Sequence, residues 1–303
     1  MTTLCAGPHE RLLRAGTGHA GRVATPVHRR GLSVLVAALV VIGVGTATGT
    51  GPKTVGAFKD TDPARAHQAW PYPAPVAPRW TALALGDSVA TGAGCDCRPY
   101  PDRYASLVTA RTGVPTTVVN RADNGLTSAE LRDRVEHDST LAGELGRSDI
   151  VTVTVGANDL GGALTRWRDD GCLSCFDVPA RQVGRDVAAV LDRIAALRAG
   201  HPTEVLVTTY WNVFQDGRAA DDADDPDFAT MSRHATGQVN EELCVAARAH
   251  GAACIDLDAA FQRAGGDDPT PFLAADADHP SPSGHDVIAA ALAAHGWAEL
   301  GRS

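Results

Sequence analysis

A serine, a histidine and an aspartate that together could perform nucleophilic catalysis lie in short polar stretches far apart in this sequence. Ser88 follows a Gly-Asp pair, and His279 follows Asp276 by three residues. A serine hydroxyl becomes a nucleophile when a histidine accepts its proton, and a carboxylate on the other side of the ring fixes the tautomer of that histidine. We therefore predict Ser88 as the nucleophile, His279 as the general base and Asp276 as the partner of His279. Asp278 is adjacent to the histidine, and that spacing usually directs the carboxylate elsewhere.

Acyl transfer also needs hydrogen-bond donors aimed at the oxyanion that develops on the substrate. The side-chain amide of Asn158 is one candidate donor. The backbone N–H groups of Gly125 and Ser88 are two more, which together predict a three-donor oxyanion hole. Asp87 and Asp159 stand next to these candidates in the sequence. We interpret both as structural acids that brace the active-site loops.

Alternating strand and helix patterns position these residues. Five apolar runs rich in β-branched residues predict buried strands. They cover residues 81–85, 116–120, 150–155, 205–210 and 253–257. Periodic segments between them predict helices. These segments cover residues 101–111, 128–135, 183–198, 228–250 and 283–295.

Such alternation predicts an open parallel sheet with helices on both faces. Reactive residues of these sheets gather at the carboxyl ends of the strands, where Ser88 and Asn158 fall. The aromatic-rich run 210–214 follows the fourth strand. It either lines an acyl or alcohol pocket or packs in the core. His285 is predicted to pack near the site at the start of the last helix.

Four sequence blocks occur in the order of a known family. Gly86-Asp87-Ser88, Gly125, Gly156-x-Asn158-Asp159 and Asp276-x-x-His279 resemble those of the SGNH hydrolases, or GDSL esterase/lipase superfamily, of exported bacterial type. The resemblance spans about residues 80–295, with Val89 in place of the usual Leu. It implies a three-layer α/β/α, flavodoxin-like fold with a five-stranded parallel sheet.

The same resemblance implies a serine esterase or lipase that acts without a cofactor or a metal. Its expected partner is a small-molecule or lipid ester, with a water-soluble or short acyl chain favoured because no extended apolar lid is evident. Two alternatives stay open, since one active site serves many substrates. One is an O-deacetylase of cell-envelope or plant polysaccharide, and the other is a secreted binding domain without catalysis.

The first 79 residues have the composition of targeting and linker segments. Five arginines precede an apolar run over residues 32–44, which is shorter than the roughly 20 residues that span a bilayer. We predict a signal peptide over residues 1–47, with an uncleaved signal anchor as the alternative, then a proline-rich linker over 48–79 and a catalytic domain over 80–303. The protein is thus expected to be secreted, or membrane-anchored if the signal is retained.

Cysteine usage agrees with export. Cys5 would leave with the signal peptide, and six cysteines would remain. These disulfide candidates are Cys95, Cys97, Cys172, Cys175, Cys244 and Cys254. An even number in an exported chain predicts three disulfides, and the close spacing favours local pairs such as Cys244 with Cys254. The alternatives are a four-thiolate zinc site built from the first four of them, and a thioredoxin-like role for Cys172 and Cys175.

Charge excludes one class of partner. The chain has 27 basic and 36 acidic residues, a formal net charge of −9. Nucleic-acid binding needs a clustered cationic face, which is absent after the first thirty residues. Acidic residues between 221 and 227 predict a solvated loop, with a calcium site as the alternative. We expect a monomer.

Overall fold

A computed structural model describes residues 78–216, 227–266 and 268–301. A sheet of five parallel strands forms its centre, in the spatial order β2-β1-β3-β4-β5. The strands are β1 (Trp80–Gly86), β2 (Thr116–Asn120), β3 (Ile150–Thr154), β4 (Glu204–Thr208) and β5 (Ala253–Ile255). The predicted five-stranded parallel sheet is therefore confirmed.

Helices connect the strands and cover the sheet. They are α1 (Ser88–Thr91), α2 (Tyr100–Thr112), α3 (Ser128–His137), α4 (Ser139–Leu145), α5 (Gly161–Asp170), α6 (Asp177–Leu197), α7 (Phe228–Ala249), α8 (Leu257–Gly265) and α9 (Pro282–His295). Helix α9 packs against α2 and α8, whereas α6 packs against α3 and α7. These two groups of helices form the outer layers of the predicted α/β/α fold.

The sheet is held by the hydrophobic effect on both faces. Every residue of β3 is buried, and so are the last five residues of β1. Strand β2 lies at one edge and alternates between half-buried and exposed residues. Continuous apolar runs are what central parallel strands require, because helices cover both of their faces.

Several element boundaries differ from the sequence prediction. Strand β5 ends at Ile255 because Asp256 caps α8, its Oδ1 accepting a hydrogen bond from the backbone N–H of Ala259 at 2.9 Å. Helix α6 begins at Asp177, six residues before the predicted start. The helices α1, α4, α5 and α8 were not predicted, because each is short and follows another element after very few residues.

The six cysteines form three local disulfides: Cys95–Cys97, Cys172–Cys175 and Cys244–Cys254. The predicted zinc alternative required the first four to form one cluster, whereas they pair separately. The signal peptide and nearly all of the linker lie outside the described residues, as does most of the acidic run. Within the described ranges, no helix combines the length and apolar character needed to cross a bilayer.

Candidate active site

The turn after β1 presents the predicted nucleophile. Gly86 has a φ of +147°, and a Cβ added there would lie 2.1 Å from the carbonyl oxygen of Thr154 on the neighbouring strand. Only glycine fits this approach. Asp87 then caps α1, and Ser88 is the first residue of that helix. A tight turn into a short helix thus places Ser88 at the carboxyl edge of the sheet.

A chain of hydrogen bonds joins the three predicted catalytic residues. Ser88 Oγ lies 2.9 Å from His279 Nε2. His279 Nδ1 lies 2.8 Å from Asp276 Oδ2. The serine and the histidine are 191 positions apart in the sequence, so the fold alone brings them together.

The loop that carries the histidine is held by its own aspartate. Asp276 Oδ1 accepts hydrogen bonds from the backbone N–H groups of Asp278 at 3.1 Å and His279 at 3.0 Å. Ala277, which lies between Asp276 and Asp278 in the chain, has a φ of +58°. Such a backbone conformation is uncommon outside glycine and is found at functional sites. Partial burial acts to raise the pKa of Asp276, but the hydrogen bonds from His279 and Asp278 outweigh it and hold that pKa below its usual value.

The predicted oxyanion donors line one cleft with Ser88. Asn158 donates one side-chain N–H to the carbonyl oxygen of Leu126 at 3.0 Å, which leaves its second N–H for a substrate. Gly125 has a φ of +78°, and a Cβ there would meet no atom within 4 Å. Within the described part of the chain, the backbone N–H groups of Ser88 and Gly125 have no hydrogen-bond acceptor.

Asp159 ties the two oxyanion loops together. Its carboxylate accepts hydrogen bonds from the backbone N–H of Ser128 at 3.0 and 3.2 Å and from the Ser128 hydroxyl at 2.6 Å. The same hydroxyl lies 3.2 Å from buried Asp186, which pairs with Arg132. Sequence reasoning recognised Asp159 as a bracing acid but missed Asp186 and Arg132, because no motif marks residues on α3 and α6.

Asp87 braces the nucleophile turn from inside the protein. It is 1% exposed, and its two oxygens accept hydrogen bonds from the Val89 N–H at 3.0 Å and the Tyr210 hydroxyl at 2.5 Å. Burial raises the pKa of Asp87 to about 6 despite these hydrogen bonds. Tyr210 was predicted only as part of an aromatic run. Its position directly after β4 is the one signal that could have indicated this contact.

The cleft itself has a volume of about 450 Å³. Phe214, Trp211 and Asn212 form one side of it. Trp211 also stacks on Phe261, with ring centroids 4.5 Å apart, and is 5% exposed. Both interpretations of the aromatic run therefore hold, since it lines the pocket and packs in the core.

His285 lies beneath the site, as the sequence indicated. It is fully buried, and its Nδ1 accepts a hydrogen bond from the backbone N–H of Tyr100 at 3.2 Å. Burial lowers the pKa of His285 to about 4, with a smaller effect from Arg103. The ring is therefore neutral at pH 7 and contributes packing between α2 and α9.

Two groups of side chains in the described residues have the spacing of metal ligands. One contains His285 with Cys95 and Cys97, and the other contains Asp170 with Cys172 and Cys175. In both, the sulfur atoms form a disulfide, and a metal binds thiolate sulfur. The arrangement in this structure therefore does not suit a metal ion.

A sequence profile of the GDSL-like Lipase/Acylhydrolase family matches residues 84–287. That range is more than half of the chain and contains all the site residues described above. The chain belongs to this family and is a carboxylic ester hydrolase. No curated protein matches the sequence significantly.

Solved structures share the fold. A lipase from a goat rumen metagenome is 18% identical, with a TM-score of 0.59 over 72% of this chain and 98% of that chain. The acetyl-xylooligosaccharide esterase Axe2 from Geobacillus stearothermophilus, as a variant, is 19% identical, with a TM-score of 0.52 over 75% and 97%. A lipase/acylhydrolase from Enterococcus faecalis is 19% identical, with a TM-score of 0.50 over 71% and 94%.

Proposed function

We propose that this protein is an exported serine esterase that hydrolyses small carboxylic esters through a covalent acyl-enzyme. One observation carries the proposal: Ser88, His279 and Asp276 are joined by two hydrogen bonds of 2.9 and 2.8 Å. Both distances lie in the range expected for a nucleophile, its base and the group that orients the base.

In the first half-reaction, Ser88 Oγ attacks the ester carbonyl while His279 Nε2 accepts the hydroxyl proton. Asp276 accepts the hydrogen bond from Nδ1, which keeps the lone pair on Nε2 and stabilises the imidazolium that forms. The C=O π electrons move onto oxygen to give a tetrahedral oxyanion. As this intermediate collapses, the bond to the alcohol oxygen breaks, and His279 gives its proton to the departing alcohol.

In the second half-reaction, water replaces the alcohol. His279 accepts a proton from that water, whose oxygen attacks the acyl carbon, and the proton then returns to Ser88 Oγ as the acid leaves. The oxyanion of each step is stabilised by the free N–H groups of Ser88, Gly125 and Asn158. Losing one such donor typically reduces turnover by about a hundredfold to a thousandfold.

The volume of the cleft favours a small substrate. Its volume of about 450 Å³ lies at the lower end of small-molecule sites, which range over about 300–1,000 Å³. An ester with a short acyl chain fits such a cleft, and a long chain would extend past its rim. We therefore expect the highest kcat/KM on acetate to butyrate esters and a decline toward palmitate.

The mechanism is tested with p-nitrophenyl esters from acetate to palmitate. Ser88→Ala and His279→Ala should each lower kcat at least about a thousandfold, and the double variant should be little worse than either, because the two residues act as a unit. Ser106→Ala, an exposed serine on α2, is the matched control and should keep wild-type activity. Full activity in Ser88→Ala would refute the assignment of the nucleophile.

Export rests on the sequence of the first 47 residues and on the cysteines. A basic segment followed by a short apolar run is typical of a signal peptide. Three disulfides are typical of proteins that fold in an oxidising compartment, because cytosolic thiols are kept reduced. We infer that the enzyme acts outside the cytoplasm after the signal peptide has been removed.

A further inference from the structure

We propose that Asp278 makes the active-site cleft selective for esters whose alcohol carries a positive charge. This inference rests on the proposed function, since it concerns the same cleft and the same reaction. Asp276 is the carboxylate that orients the histidine, so Asp278 is free for another role.

Asp278 is a half-buried carboxylate, and among the described residues His279 is the counter-charge beside it. It lines the cleft next to the catalytic histidine. Its backbone N–H donates to Asp276, but its carboxylate has no hydrogen-bond or salt-bridge partner among the described residues. Arginine and lysine are likewise missing from the described residues that line the cleft. A cation in this cleft would therefore meet an acceptor that no group in the described part of the chain already satisfies.

The position of Asp278 indicates which part of the substrate it meets. His279 Nε2 must reach the alcohol oxygen to protonate it as it leaves, so the alcohol lies on the histidine side of the cleft. The acyl oxygen lies on the other side, against Gly125 and Asn158. Asp278 is adjacent to His279 in the chain and faces the same cleft. It therefore contacts the alcohol portion rather than the acyl chain.

Aromatic side chains complete the environment. Phe214, which is half-buried, and Trp211 both line the cleft with Asp278. A cation is attracted to an aromatic face within about 6 Å, and the attraction grows as water is excluded. A carboxylate beside aromatic rings suits an organic ammonium group. An anionic alcohol would be repelled, because no described residue of opposite charge neutralises Asp278 except His279.

Burial also makes the carboxylate receptive to a positive ligand. It raises the pKa of Asp278, an effect that the charge of His279 opposes and that of Asp276 reinforces. Ionised Asp278 therefore carries a desolvation cost. A bound cation offsets that cost, whereas a neutral alcohol of the same shape does not.

The experiment compares two acetate esters of the same shape, of which one has a positively charged alcohol portion. Acetylcholine carries a quaternary nitrogen, and neohexyl acetate has carbon in its place. We expect the wild-type kcat/KM to favour acetylcholine by about tenfold, the size of one partly screened charge interaction. Asp278→Asn should lower the ratio of the two kcat/KM values several-fold, toward the ratio of the two esters' intrinsic reactivities. The control Asp169→Asn removes an exposed carboxylate from the far end of α5 and should leave the ratio unchanged.

The ratio separates selectivity from general damage to the catalytic loop, since such damage lowers kcat/KM equally for both esters. A wild-type ratio of one or below, or a ratio that Asp278→Asn leaves unchanged, overturns the proposal. Hydrolysis of p-nitrophenyl acetate by the wild type is measured in parallel. If that ester is hydrolysed and the two acetates are not distinguished, only the selectivity proposal fails; if it is not hydrolysed, the proposed function fails.

Discussion

Asp87 shows what a single buried carboxylate contributes to this site. It joins the nucleophile turn to Tyr210 at the end of β4, 123 positions away, and it is almost completely removed from water. Two hydrogen bonds stabilise its ionised form, yet burial prevails and raises its pKa. The geometry of the turn is therefore maintained at a cost in stability when Asp87 is ionised.

That cost predicts a pH dependence of stability. The pKa of Asp87 rises from 3.8 to about 6 on folding, so the folded protein binds this proton more tightly than the unfolded chain. The contribution of Asp87 to the free energy of unfolding should therefore fall by about 3 kcal/mol in total as pH rises from below about 4 to above about 6. His285, whose pKa is lowered to about 4 by folding, contributes an opposite change over much of the same range. The difference between the wild type and Asp87→Asn in urea unfolding at a series of pH values measures this contribution.

Asp87→Asn should remove that part of the slope, because the amide does not titrate. Asp169→Asn, an exposed acid, should retain the wild-type slope. If Asp87→Asn unfolds with the same pH dependence as the wild type, Asp87 is not the group that titrates.

At the scale of elements, the connection between α1 and α2 supports His279, the proposed general base. Gly94 in this connection has a φ of +73°, and a Cβ there would lie 2.9 Å from both Asp276 Oδ2 and His279 Cβ. The loop that follows Ser88 thus packs directly against the loop that carries His279. This contact between the two loops fixes the distance between Ser88 and His279.

Gly94→Ala should therefore impair catalysis more than stability. Its added methyl group would displace Asp276 and His279, and we expect kcat on p-nitrophenyl acetate to fall at least about tenfold, since small misplacements of catalytic groups are costly. Gly171→Ala is a matched control, because Gly171 has a φ of +70° and no atom within 4 Å of an added Cβ. Both variants should lose about 1 kcal/mol of stability from the left-handed backbone.

Thermal unfolding and kcat are measured for both variants, which separates the effect of the contact with Asp276 and His279 from that of the backbone conformation. Equal loss of kcat in both would show that the backbone conformation, rather than the contact with the catalytic loop, explains the effect.

At the scale of the whole molecule, the sequence predicts best what depends on local pattern. Apolar runs and turn residues located all five strands, and the rule that reactive groups follow parallel strands brought Ser88 and Asn158 to one edge. The boundary of β5 was missed because the cap at Asp256 competes with the apolar continuation at Leu257. Hydrogen bonds decide this competition, and the spacing of apolar residues in the sequence carries no information about them.

Long-range polar contacts were harder to predict. Tyr210 bonds to Asp87 across 123 positions, and Asp186 bonds to Ser128 across 58. Either partner alone looks like an ordinary core or helix residue. Only the packing of the elements identifies these residues as supports of the site. A buried polar side chain requires a hydrogen-bond partner, but the residue type does not specify which residue that partner is.

Export is a property of the entire chain and is tested on protein recovered from the culture medium of a secreting bacterial host. We expect N-terminal sequencing to show a start at Thr48. Alkylation without reduction should modify no cysteine, because Cys5 would be gone and the other six would be paired. A full-length chain in the membrane fraction with Cys5 alkylated would instead establish a retained signal anchor.

The disulfides have a consequence for how the protein is made. Their cysteines are 2, 3 and 10 positions apart. In a reduced chain, thiols close in sequence meet far more often than distant ones, because the entropy lost in closing a loop grows with its length. Each cysteine therefore encounters its native partner before any other. Correct oxidation can proceed segment by segment as the chain emerges, without a completed fold to select the pairs and without reshuffling afterwards.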